Sequence, residues 1–210
     1  MENEKKKARG LYQPYQIMLA IYGLFVLFAF ILDRPKEIFS GLLAIITCRG
    51  VLITDYMAIG GAGATLVNAA MVGGFSLLML WKVGAKPNGS LIMAMWLSTG
   101  FAMFGKNVFN MLPITFGVWL YAKVKKEPFI NFTLVALLSA TLSPVVSGLS
   151  FHTAFPRGVG MAVGVGMGVL VGFIFPAVSS FTVRVHSGYN LYNMGFAGGL
   201  ISTFVVSALE

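Results

Sequence analysis

The sequence predicts an all-α polytopic membrane bundle, with about seven spanning helices, two short re-entrant or broken segments, and an inverted internal repeat whose second copy is incomplete. Three observations carry that expectation. Of the 210 residues, 57% are hydrophobic and 10% charged, and the mean hydropathy is +0.83, values foreign to ordinary soluble domains. The chain holds 25 glycines beside 18 phenylalanines and 12 methionines; glycine is costly in soluble helices but lets membrane helices approach closely. The formal charge of +8 comes from basic residues clustered between apolar runs, which orients helices in a membrane rather than marking a nucleic-acid surface.

Residues 1–10 read as a basic, cytoplasmic N-terminus, 11–129 as a first membrane unit, and 130–210 as a connecting helix with a partial second unit. A span needs about 20 apolar residues, and such windows lie near 16–32, 57–81, 88–104, 108–122, 130–151, 158–176 and 191–208. The first is followed by bulky residues where a cleavage site needs small ones, so it reads as a retained anchor. Segments 38–55 and 177–190 are apolar but interrupted, the first by Cys48, Arg49 and Gly50, the second by Ser179, Ser180, Arg184 and His186. Loop charge decides how the first is read. If 38–55 enters and returns on one face, Lys82, Lys86, Lys123, Lys125 and Lys126 join Lys5, Lys6, Lys7 and Arg9 on the cytoplasmic side, as positive residues prefer. Irregular backbone at membrane depth survives only inside protein or along a wet cavity, so a re-entrant segment points to a site.

A shift of 135 residues places Thr47, Arg49, Gly60, Ala62 and Gly63 on Thr182, Arg184, Gly195, Ala197 and Gly198, with Asp55 on Asn190. Shared composition alone yields some such matches, but arginine at membrane depth costs at least about 2.5 kcal/mol and is not placed casually. With an odd number of crossings between the copies they would be inverted, the usual plan of secondary transporters, whose sites lie where broken helices meet.

The candidate solute or ion path comprises Arg49, Asp55, Gly60, Lys106, Asn107, Arg184, Asn190 and Gly195. Arg49 would contact the solute or pair with Asp55. Gly60 and Gly195 would begin helices whose free N–H groups face an anion or carbonyl. Lys106, in the run Phe104-Gly-Lys-Asn-Val-Phe-Asn110 ahead of the helix-breaking Pro113, falls in an outer connection, where it snorkels to the interface or joins Asn107 and Asn110 in a polar vestibule. Gly160, Gly164, Gly168 and Gly172, at spacing four, form a helix-packing stripe. One cysteine permits no internal disulfide. No metal, cofactor or catalytic motif is legible: His152 and His186 stand alone, and neither a nucleophile elbow nor a phosphate loop occurs, so an enzyme is not expected.

The runs Ile31-Leu-Asp-Arg-Pro-Lys-Glu-Ile38, Leu52-Ile-Thr-Asp-Tyr56, Lys86-Pro-Asn-Gly-Ser90, Phe104-Gly-Lys-Asn107, Thr141-Leu-Ser-Pro144 and His186-Ser-Gly-Tyr-Asn-Leu-Tyr-Asn-Met-Gly-Phe-Ala-Gly-Gly199 together resemble an uncharacterised family of bacterial multi-pass membrane proteins. The resemblance covers essentially the whole chain and implies relatives about twice as long, with this chain as an N-terminal half. It implies no activity. Five crossings with one re-entrant element also look loosely like a urea-channel unit, as does Leu112-Pro-Ile-Thr-Phe116, although the Pro-Phe of that signature is replaced by Phe-Gly after Thr115. The functional expectation is a channel or secondary transporter for a small polar or anionic solute in the inner (plasma) membrane, its path between two glycine-rich inverted units. A homo-oligomer or a missing second half would complete it. The competing expectation is a non-transporting scaffold or assembly subunit whose arginines pair internally.

Overall fold

A computed structural model of the chain describes residues 12–50, 53–187, 189 and 193–209; Lys5, Lys6, Lys7, Arg9 and Asn190 lie outside them. The described residues form helices and no strands: α1 (Gln13–Leu32), α2 (Pro35–Thr47), α3 (Tyr56–Gly60), α4 (Ala62–Lys82), α5 (Gly89–Phe101), α6 (Val108–Val124), α7 (Thr133–Ser139), α8 (Pro144–Ser150), α9 (Arg157–Val185) and α10 (Asn193–Leu209). Three of these, α1, α4 and α9, are long and apolar enough to cross a membrane. A fourth span results if Phe129–Leu142 and Pro144–Ser150, bent by 45°, count as one. The outer face of α1 exposes Leu24, Leu27, Phe28, Ile31 and Leu32, each at least half exposed, as suits a helix surrounded by lipid. The protein is thus a membrane-embedded helical bundle.

Seven full crossings are expected from the sequence; three or four helices are long enough by themselves, and α5 and α6 are among the shorter apolar helices. α5 has 13 residues and α6 has 17, about 20 and 26 Å at 1.5 Å per residue, against a hydrocarbon core of about 30 Å. They form a hairpin that enters and leaves at one end. The first turn of α5 and the Ile130–Leu134 stretch that follows α6 line a common cleft, and Tyr15 Oη at the start of α1 donates to Ala85 O beside it, at 3.1 Å. Lys82, Lys86, Lys123, Lys125 and Lys126 all belong to this basic end. Lys123 and Lys125 extend over the rings of Trp119 and Tyr121, at 5.4 and 5.8 Å, an arrangement suited to a membrane interface.

α1 rises from the basic end to Asp33, where α2 begins. Pro35 opens α2 with its fixed φ, and Arg34 N–H donates to Glu37 Oε2 at 2.9 Å. α2 then descends to Thr47, the chain breaks, and α3 returns against it. Gly41 and Gly60 permit this return, because a Cβ on Gly41 would run into Gly60 O and one on Gly60 would lie 2.7 Å from Gly41 O. α2 and α3 therefore form a second hairpin, its open end opposite that of α5 and α6.

α7 and α8 climb from the basic end and α9 descends beside them. Gly160, Gly164, Gly168 and Gly172 are buried along one face of α9. Added Cβ atoms there would meet Ser150 O at 2.8 Å, Ser150 Oγ, Val146 Cγ2 at 2.6 Å and Ile114 O. Gly117 of α6 answers from the other side, its missing Cβ vacating the place of Val169 O. Backbones thus meet directly and dispersion contacts replace hydrophobic driving force, which lipid does not supply. Pro113 does not break the start of α6; it lies inside that helix, with Gly168 packed against its ring.

Residues 177–185 continue α9 without a break, so 177–190 is not a separate re-entrant segment. The segments matched by the 135-residue shift differ in form: Gly60 ends α3 and Ala62 and Gly63 open α4, whereas Gly195, Ala197 and Gly198 all lie within α10. The opposed elements are the α2–α3 and α5–α6 hairpins.

Candidate functional site

The two hairpins meet tip to tip. The α5–α6 tip spans residues 102–107, where Gly105 has φ +114° and Lys106 N–H returns to Phe101 O at 3.1 Å, a left-handed glycine closing the end of α5. Asn107 and Asn110 then cap α6 reciprocally: Asn110 N–H donates to Asn107 Oδ1 at 3.0 Å, and Asn107 N–H to Asn110 Oδ1 at 2.8 Å. With one face of each amide spent on the cap, the other faces reach across the tip. Asn107 Nδ2 donates to Ile45 O at 3.3 Å and to Tyr56 Oη at 3.1 Å, on the two arms of the opposing hairpin. Asn110 Nδ2 donates to Gly105 O at 2.8 Å and to Ser147 Oγ of α8 at 3.0 Å. Asn68 of α4 closes the ring by donating to Ala102 O at 2.7 Å and Lys106 O at 2.9 Å. Asn68 stands roughly two-thirds of the way along α4 from Lys82, about 21 Å by helical rise. The junction is accordingly deep inside the bundle.

Lys106 is 1% exposed, which overturns its expected place in an outer connection or at an interface. Its Nζ donates to Ser98 Oγ at 2.6 Å, one turn before the end of α5. The carbonyl end of that helix favours a cation, but a hydroxyl is a weak partner for an ammonium with three donors. The bent helix of α7 and α8 carries Ser139, Ser143, Ser147 and Ser150, all at most 3% exposed. The Ser143 and Ser150 hydroxyls are buried without a hydrogen-bond partner. At the basic end, a cleft of about 740 Å³ is lined by Lys86, Asn88, Ser90, Asn131 and Thr133, and Asn88 Oδ1 caps α5 through Leu91 N–H at 2.9 Å. Beside this cleft α5 and α7 pack against each other, with Leu91, Ala94, Met95 and Leu137 in one buried apolar cluster.

The other expected path residues are distributed differently. Arg49 and Asp55 are exposed in the break between α2 and α3. Asp55 Oδ1 accepts from Met57 and Ala58 N–H at 3.0 and 3.1 Å, capping α3, and no ion pair joins it to Arg49 among the described residues. Gly60 does not begin a helix: it ends α3, Gly61 turns at φ +86°, and α4 starts at Ala62. The Gly63 N–H there is not open to a ligand, because it donates to Asp33 Oδ2 at 2.6 Å. Asp33 thus occupies the position where an anion was expected, and its only signal in the sequence was an acid directly after an apolar span.

Arg184 is exposed in the last turn of α9, and Gly195 lies within continuous α10 rather than at a broken helix start. The polar groups at the α9–α10 turn instead clasp Asn193: Thr182 Oγ1 donates to its Oδ1 at 2.6 Å, its Nδ2 donates to Ser179 O at 2.8 Å, and His186 Nε2 lies 2.8 Å from the same Oδ1. Among the described residues no group of three or more His, Cys, Asp or Glu could hold a metal ion.

No curated protein and no solved structure shows a significant match to this chain. A family model, described as a protein of unknown function, matches residues 34–210, an interval that includes both hairpins and their junction. The chain belongs to that family, DUF1576.

Proposed function

We propose that the protein is a channel or secondary transporter for a small polar or anionic solute, with its path through the junction of the two hairpins. The observation that carries this reading is Lys106, a buried cation with a single hydroxyl partner where helix breaks from opposite ends meet. Ionisable residues at membrane depth are costly and mark solute or ion routes far more often than packing. Broken helices that meet inside a bundle are likewise the usual substrate sites of transporters. On this reading the cleft at Lys86 and Asn131 is the vestibule of the basic end, and the seam between α5 and α7 leads from it past Ser98 and Ser143. On this reading that end, with its excess of lysine, faces the cytoplasm.

Arg49 and Asp55 support an oligomer as the working form. They are exposed at the level of the junction, where lipid would be a poor neighbour for either charge, and a second copy would cover both. Purified protein reconstituted into liposomes and tested for flux of urea, formate, nitrate and small cations is the direct assay. Flux of at least one solute, lost in Lys106→Met, is the expected result. Vesicles no more permeable than protein-free ones would contradict the reading.

A further inference from the structure

We infer that Lys106 binds a small monovalent anion, held between its Nζ and the buried hydroxyl of Ser143. This rests on the transport reading for its biological purpose but not for its chemistry.

The first argument is charge accounting. Every carboxylate among the described residues is engaged or placed elsewhere. Asp33 takes the Gly63 N–H at the opposite end of α4, Glu37 the Arg34 N–H and Asp55 the first turn of α3. Glu127 is exposed beyond the basic end of α6. None of these is left to neutralise Lys106, and a buried ammonium that lacks a counter-charge is penalised by several kcal/mol. Ser98 Oγ accepts one of its three donors, and an anion brought from solution would take the others.

The second argument is independent of charge. Ser143 and Ser147 lie four residues apart at the bend between α7 and α8. Ser147 reaches the junction, since its hydroxyl accepts from Asn110. Ser143 lies one turn nearer the basic end and is buried with its hydroxyl unpartnered, a condition native interiors avoid unless a ligand or water completes it. The turn Ala140–Leu142 just before it touches both arms of the α5–α6 hairpin, and Ala140 shares a core cluster with Ala102. The orphan hydroxyl and the under-satisfied ammonium therefore belong to one neighbourhood.

Size and valence follow from the surroundings. Ser98, Lys106, Asn110, Ser143 and Ser147 are each at most 1% exposed, so a ligand enclosed among them can have only a few atoms. One lysine balances one negative charge, and a divalent anion would carry an uncompensated charge into an apolar core. The ligand class is that of formate, nitrate or chloride.

Calorimetric titration of the full chain in detergent with sodium nitrate and sodium formate, with urea as the neutral control, tests this. Both anions are expected to bind and urea not to. Lys106→Met should weaken nitrate by about tenfold or more, and Ser143→Ala by about threefold to tenfold, the loss of one hydrogen bond to a charged group. Ser98→Ala frees an Nζ donor and should bind nitrate at least as tightly as the parent. That result separates a ligand role for Lys106 from a purely structural one, and it decides the matter if Lys106→Met fails to fold. Urea binding as tightly as nitrate, or unchanged nitrate affinity in Ser143→Ala and loss of it in Ser98→Ala, would overturn the inference. Urea flux without anion binding would overturn it and leave the transport reading standing. Anion binding without any flux would support the site and overturn transport.

Discussion

Asn107 Nδ2 donates to Tyr56 Oη at 3.1 Å, linking the first residue of one hairpin's descending arm to the start of the other's returning arm. Both groups are fully buried, so neither can exchange this bond for water. Tyr56→Phe should cost about 1 kcal/mol and Asn107→Ala about 2 to 3 kcal/mol, the latter also removing the cap of α6. If the bond joins them, the double variant should be less destabilised than the sum of the two, by about 0.5 kcal/mol or more. Thermal unfolding in detergent measures this, and strictly additive losses would place the two residues in separate roles.

The two faces of α9 give opposite expectations for one substitution. A Cβ on Gly172 would collide with the backbone of Ile114, whereas one on Gly166 meets nothing within 4 Å. Gly172→Ala should therefore destabilise by about 1 to 3 kcal/mol, the range for overpacking. Gly166→Ala should be neutral or stabilise by up to about 1 kcal/mol through helix propensity. A pair of melting curves suffices, and equal effects would remove the basis for direct contact between α9 and α6.

Asp33 holds the start of α4 through Gly63 N–H. Asp33→Asn keeps an oxygen acceptor but loses the charge facing the helix dipole, a change of about 0.3 to 1 kcal/mol; Asp33→Ala loses both and should cost about twice as much. Hydrogen exchange of the Gly63 amide should accelerate in the same order. Unchanged protection in Asp33→Ala would mean that this amide is held by something other than the carboxylate.

Much of the helical plan was legible because apolar windows report where helices are. They do not report whether a helix crosses. The windows near 88–104 and 108–122 are as apolar as spans, and only their interrupted length, with Gly105 and Lys106 between them, separates a hairpin from two crossings. The re-entrant reading of 38–55 had a stronger signal, since loop charges on either side constrained it. Lys106 and Asn107 were recognisable as candidates by residue type, but the burial of Lys106 depends on Asn68, Ser98 and Ser147, brought from three other helices that no local pattern connects. Gly60 was misplaced because a glycine run cannot say which member turns; positive φ at Gly61 answers that. The buried serines of α7 and α8 were present in the sequence at spacings of four and three and went unremarked among the apolar residues around them.

The central claim, that solute reaches the hairpin junction along the seam between α5 and α7, is tested most directly by cysteine accessibility. Cys48 is the single native cysteine, so Ser143→Cys in a Cys48→Ser background gives one thiol reporter in the seam. Ala70→Cys in the same background gives a buried reporter on α4, in the apolar cluster around Tyr22 and Leu77. In oriented vesicles, a negatively charged, membrane-impermeant methanethiosulfonate applied from the basic end should modify the seam thiol at least about tenfold faster than the thiol in the apolar cluster, and nitrate should slow it. Equal, nitrate-insensitive rates at the two positions would contradict the account.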